Sequence, residues 1–265
     1  HTESLESYLW EAANVLRGHM GAAEYKQYIF PMLFWKRICD VWDEERERSI
    51  VELGTDFSES HRIKVPEDGH WDVVRNLSNN VGAGIVNAMR LIETSNQPLL
   101  SGVFGDAHWT NKDKLPDATL KELMEHFSSI KLTTENIPED ELGTGYEYLI
   151  RKFADDSGHT AAEFYTNRTV VHLMIEMLKP EPGETIYDPT CGSGGMLISS
   201  LHHIKESGGE HRNIGLYGQE INLLTSSIAR MNLLLHGVDD FQIERGDTLG
   251  DPKFVEEGGL KKFDL

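Results

Sequence analysis

The sequence predicts an α/β protein in two parts: an N-terminal all-helical domain over 1–154, then a partial doubly wound parallel sheet over 155–265. Three observations predict it. Through the first part, apolar residues recur at three- and four-residue steps, the period of a helix with one buried face. In the second part, short β-prone runs alternate with helical ones, the rhythm of strands joined by crossover helices. Between the two lies "DDSGHTA" (155–161), small and polar, which suits a boundary. The hydrophobic fraction of 39% and charged fraction of 26% are those of a globular protein. No apolar run approaches the roughly 20 residues that cross a bilayer.

The first helix is read in "SLESYLWEAANVLRG", where Leu5, Tyr8, Leu9, Ala12, Ala13 and Leu16 form one stripe and Gly18 offers a stop. "AAEYKQYIFPMLFWKRICDVWDEERER" continues with Tyr25, Tyr28, Ile29, Met32, Leu33 and Trp42 as apolar positions. Pro31 inside it implies a break or kink, because proline removes a backbone donor and crowds the preceding turn. The aromatic residues here read as core, and "DEERER" (43–48) as a solvated helix face. From Val51 to about Asp72 the pattern is that of a loop; further helices are expected at about 82–94, 117–128 and 141–154.

Beyond the boundary, "TVVHLMIEML" is helical and "ETIYD" (184–188) is a strand. A glycine-rich turn follows it, then the helical "GMLISSLHHIKES". "IGLYGQE" (214–220) and "DFQIERGD" (240–247) are further strands around the helical "NLLTSSIARMNLLLHG", and "KKFDL" opens a fourth. Ligands of such sheets bind beyond the carboxyl ends of the strands. Each of the first three strands ends in an acid there: Asp188, Glu220 and Asp247.

These acids separate the nucleotide-binding alternatives. A P-loop needs a lysine after its last glycine, and none follows Gly195. A dinucleotide site sets a pyrophosphate on the helix N-terminus, whereas the Asp188 carboxylate just ahead of Gly192, Gly194 and Gly195 would repel it. That carboxylate suits the ammonium of an amino acid. Glu220 stands 25 residues beyond Gly195, near the spacing at which an acid accepts from ribose hydroxyls. A ligand with an amino-acid end, a ribose and no phosphate is wanted, and S-adenosylmethionine has all three properties. Each acid also has an ordinary reading as a strand-end residue.

The motif "DPTCGSGG" resembles the S-adenosylmethionine-binding motif of DNA adenine-N6 methyltransferases, and "AEFYTNR" (162–168) resembles the segment that precedes it in one subgroup. "LWEAANVLRGHMGAAEYKQYIFPMLFWKRICD" is similar to the opening helical domain of modification subunits of type I restriction–modification systems. The resemblance implies a Rossmann-like methyltransferase domain in 155–265. It implies that Phe164, Tyr165 and Thr166 close over the methionine end of the cofactor. Asp188, Thr190, Gly192 and Gly194 would line it, Glu220 would accept from the ribose, and Asp247 from the adenine amino group. Ile221 and Leu249 would sandwich the adenine. The implied partners are a DNA specificity subunit, a restriction subunit, a second modification subunit and duplex DNA.

Departures from that pattern are Ala162 and Asn167, which stand where the family usually has glycine and proline; they loosen the backbone match to that motif while keeping its aromatic and hydroxyl groups, and are expected to alter cofactor closure. The family's catalytic Asn-Pro-Pro-aromatic motif occurs nowhere in the chain. It is expected a few residues past Leu265, so the chain reads as a truncated portion that transfers no methyl group alone. Rival readings are a nicotinamide-dependent oxidoreductase fragment, a methyltransferase acting on RNA or protein, and a docking or structural piece of an assembly whose pocket is idle. Without the resemblance, Phe164 and Tyr165 read as a hydrophobic staple.

Charge and cysteines bound the setting. Lys+Arg 25 against Asp+Glu 44 gives 25 − 44 = −19, a poor match to a phosphate backbone, so any grip on DNA is expected from a partner. Cys39 and Cys191 lie far apart outside any CxxC pattern, which points to a reducing cytoplasm. Cys191 reads as a small packed residue. His202 and His203 are adjacent and face different ways, and no spacing suggests zinc.

Overall fold

The computed structural model describes residues 2–156, 165–210 and 214–265. The chain divides into two compact units, His1–Leu149 and Ile150–Leu265.

The first unit is helical. Helix α1 (Thr2–Leu16) buries all six residues of its expected stripe, Leu5, Tyr8, Leu9, Ala12, Ala13 and Leu16. Helix α2 (Ala22–Leu53) runs unbroken through Pro31, contrary to the expected interruption, and continues past Val51 into the segment read as loop. The reason is burial: every residue from Tyr28 to Asp40 is buried, so packing on all sides outweighs one lost backbone hydrogen bond. Gly54 ends the helix in the left-handed region, its N–H reaching Ile50 O at 3.0 Å.

The buried charged residues of this helix, Lys36, Arg37 and Asp40, are engaged. Arg37 Nη1 donates to the carbonyls of Leu132, Thr133 and Ile137 at 2.7, 2.8 and 2.8 Å. Lys36 pairs with Asp40, whose carboxylate also accepts from Leu132 N at 2.7 Å. The acidic run is not a merely solvated face either. Glu44 accepts from the N–H groups of Thr134 and Glu135 at 2.9 and 3.0 Å, and Glu45 from Arg62 N at 3.2 Å. Its carboxylates tie loops back to the helix, satisfying backbone donors that helix and sheet leave unpaired.

The unit also holds α3 (Trp71–Arg75), α4 (Val81–Ser95), α5 (Asp117–Ser128) and the first turns of α6 (Glu139–Asp156). The short α3 falls outside the expected helices; its anchor is Trp71, whose Nε1 donates to Ser128 Oγ at 2.9 Å.

The second unit holds α7 (Arg168–Leu178), β1 (Thr185–Asp188), α8 (Gly195–Glu206), β2 (Gly215–Glu220), α9 (Leu223–Leu235) and β3 (Phe241–Arg245). The strands are parallel in the order β1-β2-β3, with Asp188 in register with Gly218 and Glu220 with Arg245. Ile186, Leu197, Leu201, Leu216, Leu233 and Ile243 form its core. A hairpin of β4 (Val255–Glu256) and β5 (Gly259–Leu260) follows, where no element was expected. The chain then meets the free side of β1: Leu265 N donates to Thr185 O at 3.1 Å, and Tyr187 N to Leu265 O at 3.0 Å. That is the hydrogen-bond pattern of a fourth parallel strand opening, as "KKFDL" suggested.

Candidate functional site

The turn after β1 is built by glycine and seated on β2. Gly192 and Gly194 have φ of 54° and 81°, a region costly to residues with a Cβ. Cys191 N donates to Gln219 O at 3.0 Å, and Asn232 Nδ2 to Ser193 O at 2.9 Å. At Gly218 a Cβ would come within 2.7 Å of Ile243 Cδ1 and 2.9 Å of Cys191 Sγ. Bare backbone on β2 is therefore what lets the turn lie flat against the sheet. Cys191 is packed in this contact, and burial together with the charges of Asp188 and Glu220 raises its thiol well above the ordinary range. It is no nucleophile.

Two of the three strand-end acids converge on this turn. The buried Glu220 carboxylate accepts from Gly192 N at 3.1 Å and from Asn222 N at 2.8 Å, one donor to each oxygen. Asp188 Oδ1 accepts from Thr190 N at 3.0 Å. Burial raises the Asp188 carboxyl above its ordinary value, the Thr190 N–H opposes that rise, and the neighbouring Glu220 charge adds to it. A carboxylate buried beside a second one forms a place where a cation is welcome.

Asp247 is arranged differently. It is exposed, and its Oδ1 closes its own turn by accepting from Leu249 N at 3.0 Å. The turn itself is drawn in, because the Thr248 hydroxyl donates to Pro189 O beside Asp188. Next to the acids, Ile221 and Leu249 stand 64% and 95% exposed, two large apolar side chains offered to solvent in the turns that follow β2 and β3. Thr190 is exposed, its N–H committed to Asp188.

Phe164 and Ala162 lie outside the described residues. Tyr165 is half-buried and Thr166 exposed, leading into α7. Asn167 keeps the segment's entry into α7 ordered. Its φ of −54° is one that proline would hold, and its side chain caps α7 by accepting from Thr169 N at 2.9 Å.

Some residues that shape the site were not signalled by the motifs. Gln219 is fully buried in β2, donating to Asp251 O at 2.9 Å and accepting from Lys253 N at 3.1 Å, and so fixes the loop after β3. An amide next to the strand-end acid Glu220 was the available clue. Arg168 stacks over the Tyr165 ring, Cζ 4.9 Å from its centroid, and its guanidinium lies against Gly195.

Residues 138–265 match the family model described as N-6 DNA Methylase, and residues 5–127 that of the HsdM N-terminal domain. The MjaIX methylase subunit of a type I restriction enzyme from Methanocaldococcus jannaschii is 26% identical over 279 residues, covering 96% of this chain and 49% of that protein. The HindI methylase subunit of a type I restriction enzyme from Haemophilus influenzae is 30% identical over 231 residues, covering 84% and 47%. The chain thus spans about half the length of the curated relatives it matches. A crystal structure of the methyltransferase subunit of a type I restriction–modification system from Streptococcus thermophilus superposes with a TM-score of 0.78 at 26% identity, covering 97% of this chain and 61% of that one.

Proposed function

The chain belongs to the N-6 DNA methylase family through residues 138–265 and to the HsdM N-terminal domain family through residues 5–127, and from that premise we propose that it is the helical and cofactor-binding portion of a type I modification subunit. The activity of the whole protein is then adenine-N6 methylation of duplex DNA, with S-adenosylmethionine as methyl donor.

The observation that carries this reading is the Asp188–Glu220 pair held over the Gly192–Gly194 turn. The donor set fits the cofactor: two carboxylates for a cationic, hydroxyl-bearing ligand, and a glycine turn without side chains to hold it off. When bound, S-adenosylmethionine supplies a methyl group already activated on a sulfonium. Asp188 takes the ammonium end, Thr190, Gly192 and Gly194 line the turn, and Glu220 accepts from the ribose hydroxyls. Asp247 accepts from the adenine amino group, and the exposure of Ile221 and Leu249 supports their lying against the adenine faces. Phe164, Tyr165 and Thr166 close over the methionine end. The work divides between a helical domain over 1–154 and a methyltransferase domain over 155–265.

The groups that accept from the target amino group and stack on the extruded base are contributed from outside these residues, since no Asn-Pro-Pro occurs among them. A DNA specificity subunit supplies sequence choice and much of the phosphate contact, which the charge of −19 supports. A second modification subunit and a restriction subunit complete the assembly. The setting is the cytoplasm, in keeping with two buried cysteines outside any disulfide and, among the described residues, no helix long and apolar enough to cross a membrane.

The test is a methylation assay on duplex DNA with the full-length subunit and its specificity partner. Transfer of labelled methyl to adenine N6 is expected; a competent, DNA-bound complex that methylates no adenine overturns the proposal.

A further inference from the structure

Two neighbouring residues close β2, and each ties down a different turn. Successive side chains of a strand point to opposite faces. Glu220 reaches the glycine turn after β1, and the fully buried Gln219 reaches the loop after β3. The Gln219 amide is used at both ends: Nε2 donates to Asp251 O at 2.9 Å, and Oε1 accepts from Lys253 N at 3.1 Å. One bond needs a donor and the other an acceptor, so neither a carboxylate nor a hydrocarbon of the same size can make both. A buried amide without partners is costly, which draws the loop onto Gln219 before any ligand arrives.

The effect reaches Asp247 through Asp251. Asp251 has its carbonyl held by Gln219, and its N–H donates to Asp247 O at 2.6 Å, closing the turn that carries the acid. Gly246 gives the amide room: a Cβ there would lie 2.8 Å from Lys253 Cε, 3.1 Å from Gln219 Nε2 and 3.2 Å from Asp251 O. A second tie comes from Thr248, whose hydroxyl donates to Pro189 O in the turn after β1. The turn is therefore fixed at Asp251 and at Thr248, while the Asp247 carboxylate between these ties and β3 is exposed. An exposed carboxylate tells a donor from an acceptor sharply only when the backbone under it is held in place.

Resting on the cofactor reading above, we propose that Gln219 and Thr248 are positioning residues that aim the Asp247 turn, so that the site distinguishes a base bearing an amino group from one bearing a carbonyl at the same place. Neither side chain touches the ligand.

Calorimetric titration of the 265-residue chain tests it with two ligands: S-adenosylmethionine, and its analogue in which hypoxanthine replaces adenine. The unsubstituted chain is expected to prefer the adenine ligand by about tenfold or more, the worth of one hydrogen bond to a charged group. Gln219→Glu, which keeps the acceptor for Lys253 N and sets a carboxylate against Asp251 O, is expected to reduce that preference to about twofold or less. Thr248→Val, at a half-buried position, is expected to reduce it by about threefold or more, and Thr248→Ser, which restores the hydroxyl, to retain it. If Gln219→Glu does not fold, the Thr248 pair decides alone. A general loosening of the fold would weaken both ligands in proportion; that result, or an unchanged preference in Thr248→Val, or no preference in the unsubstituted chain, overturns the assignment and leaves the cofactor reading standing. Binding of neither ligand by the unsubstituted chain overturns both.

Discussion

Glu220 at the end of β2 accepts a hydrogen bond from the Gly192 N–H at 3.1 Å, across 28 residues of sequence. This bond helps join the glycine-rich turn to the second strand and fixes where an acid meets it. Its other oxygen is held by Asn222 N at 2.8 Å, at the N-terminus of α9. Glu220→Gln keeps the shape but has one acceptor oxygen for two donors. It should lower stability by about 1–3 kcal/mol, the cost of a buried unpaired N–H, and weaken S-adenosylmethionine binding. Thermal unfolding and calorimetry on the same variant read both effects; an unchanged Tm would contradict the two-donor arrangement.

Asp188 gives a pH signature. Burial and the Glu220 charge lift its carboxyl above its ordinary value of 3.8. The folded state therefore holds this proton more tightly than the unfolded one. Stability from this group is fully present below the unfolded value and falls as pH rises through the raised folded value. A cationic ligand favours the ionised form, so affinity should rise with pH across the same window and level off above it. Asp188→Asn should flatten both dependences and lower affinity at neutral pH by about tenfold. A pH titration of binding that keeps its slope in the variant would assign the proton elsewhere.

Gly194 and Gly218 should respond to alanine for different reasons. Gly194→Ala strains a left-handed residue with its nearest neighbours at 3.6 Å, which predicts a loss of about 1–2 kcal/mol. Gly218→Ala drives a methyl into Ile243 and Cys191, an overpacking worth about 1–3 kcal/mol. It should also lift the turn off β2 and expose Cys191. Thiol labelling with a small reagent distinguishes them: faster labelling in Gly218→Ala alone is expected.

Arg37 carries a prediction for the helical unit. Its guanidinium serves three carbonyls between Leu132 and Ile137. Arg37→Met fills the volume but leaves those acceptors and the nearby acids uncompensated, for a loss of about 2–4 kcal/mol. Chemical denaturation measures it, and a loss under about 0.5 kcal/mol, the size expected of an unimportant surface change, would show that the loop holds itself.

What the sequence disclosed follows the range of the forces involved. The α1 stripe was legible residue by residue because burial of one helix face has a fixed period, and all six residues are buried. The strands and the Asp188 and Glu220 positions were legible because β–turn–α alternation fixes where strands end. Pro31 misled because a local rule met a helix packed on every side. The acidic run misled because its carboxylates bind backbone donors from loops about 17 and 90 residues away, a separation no local pattern encodes. Arg168 closes the AEFYTNR motif, but its seat on Gly195 depends on how α7 and α8 pack.

The central claim is that the Asp188–Glu220 pair selects a cationic, phosphate-free nucleoside, and competitive calorimetry of the 265-residue chain tests it most directly. S-adenosylmethionine is expected to bind with one-to-one stoichiometry and NADH not to compete. Tight NADH binding, with S-adenosylmethionine unable to displace it, would contradict the account.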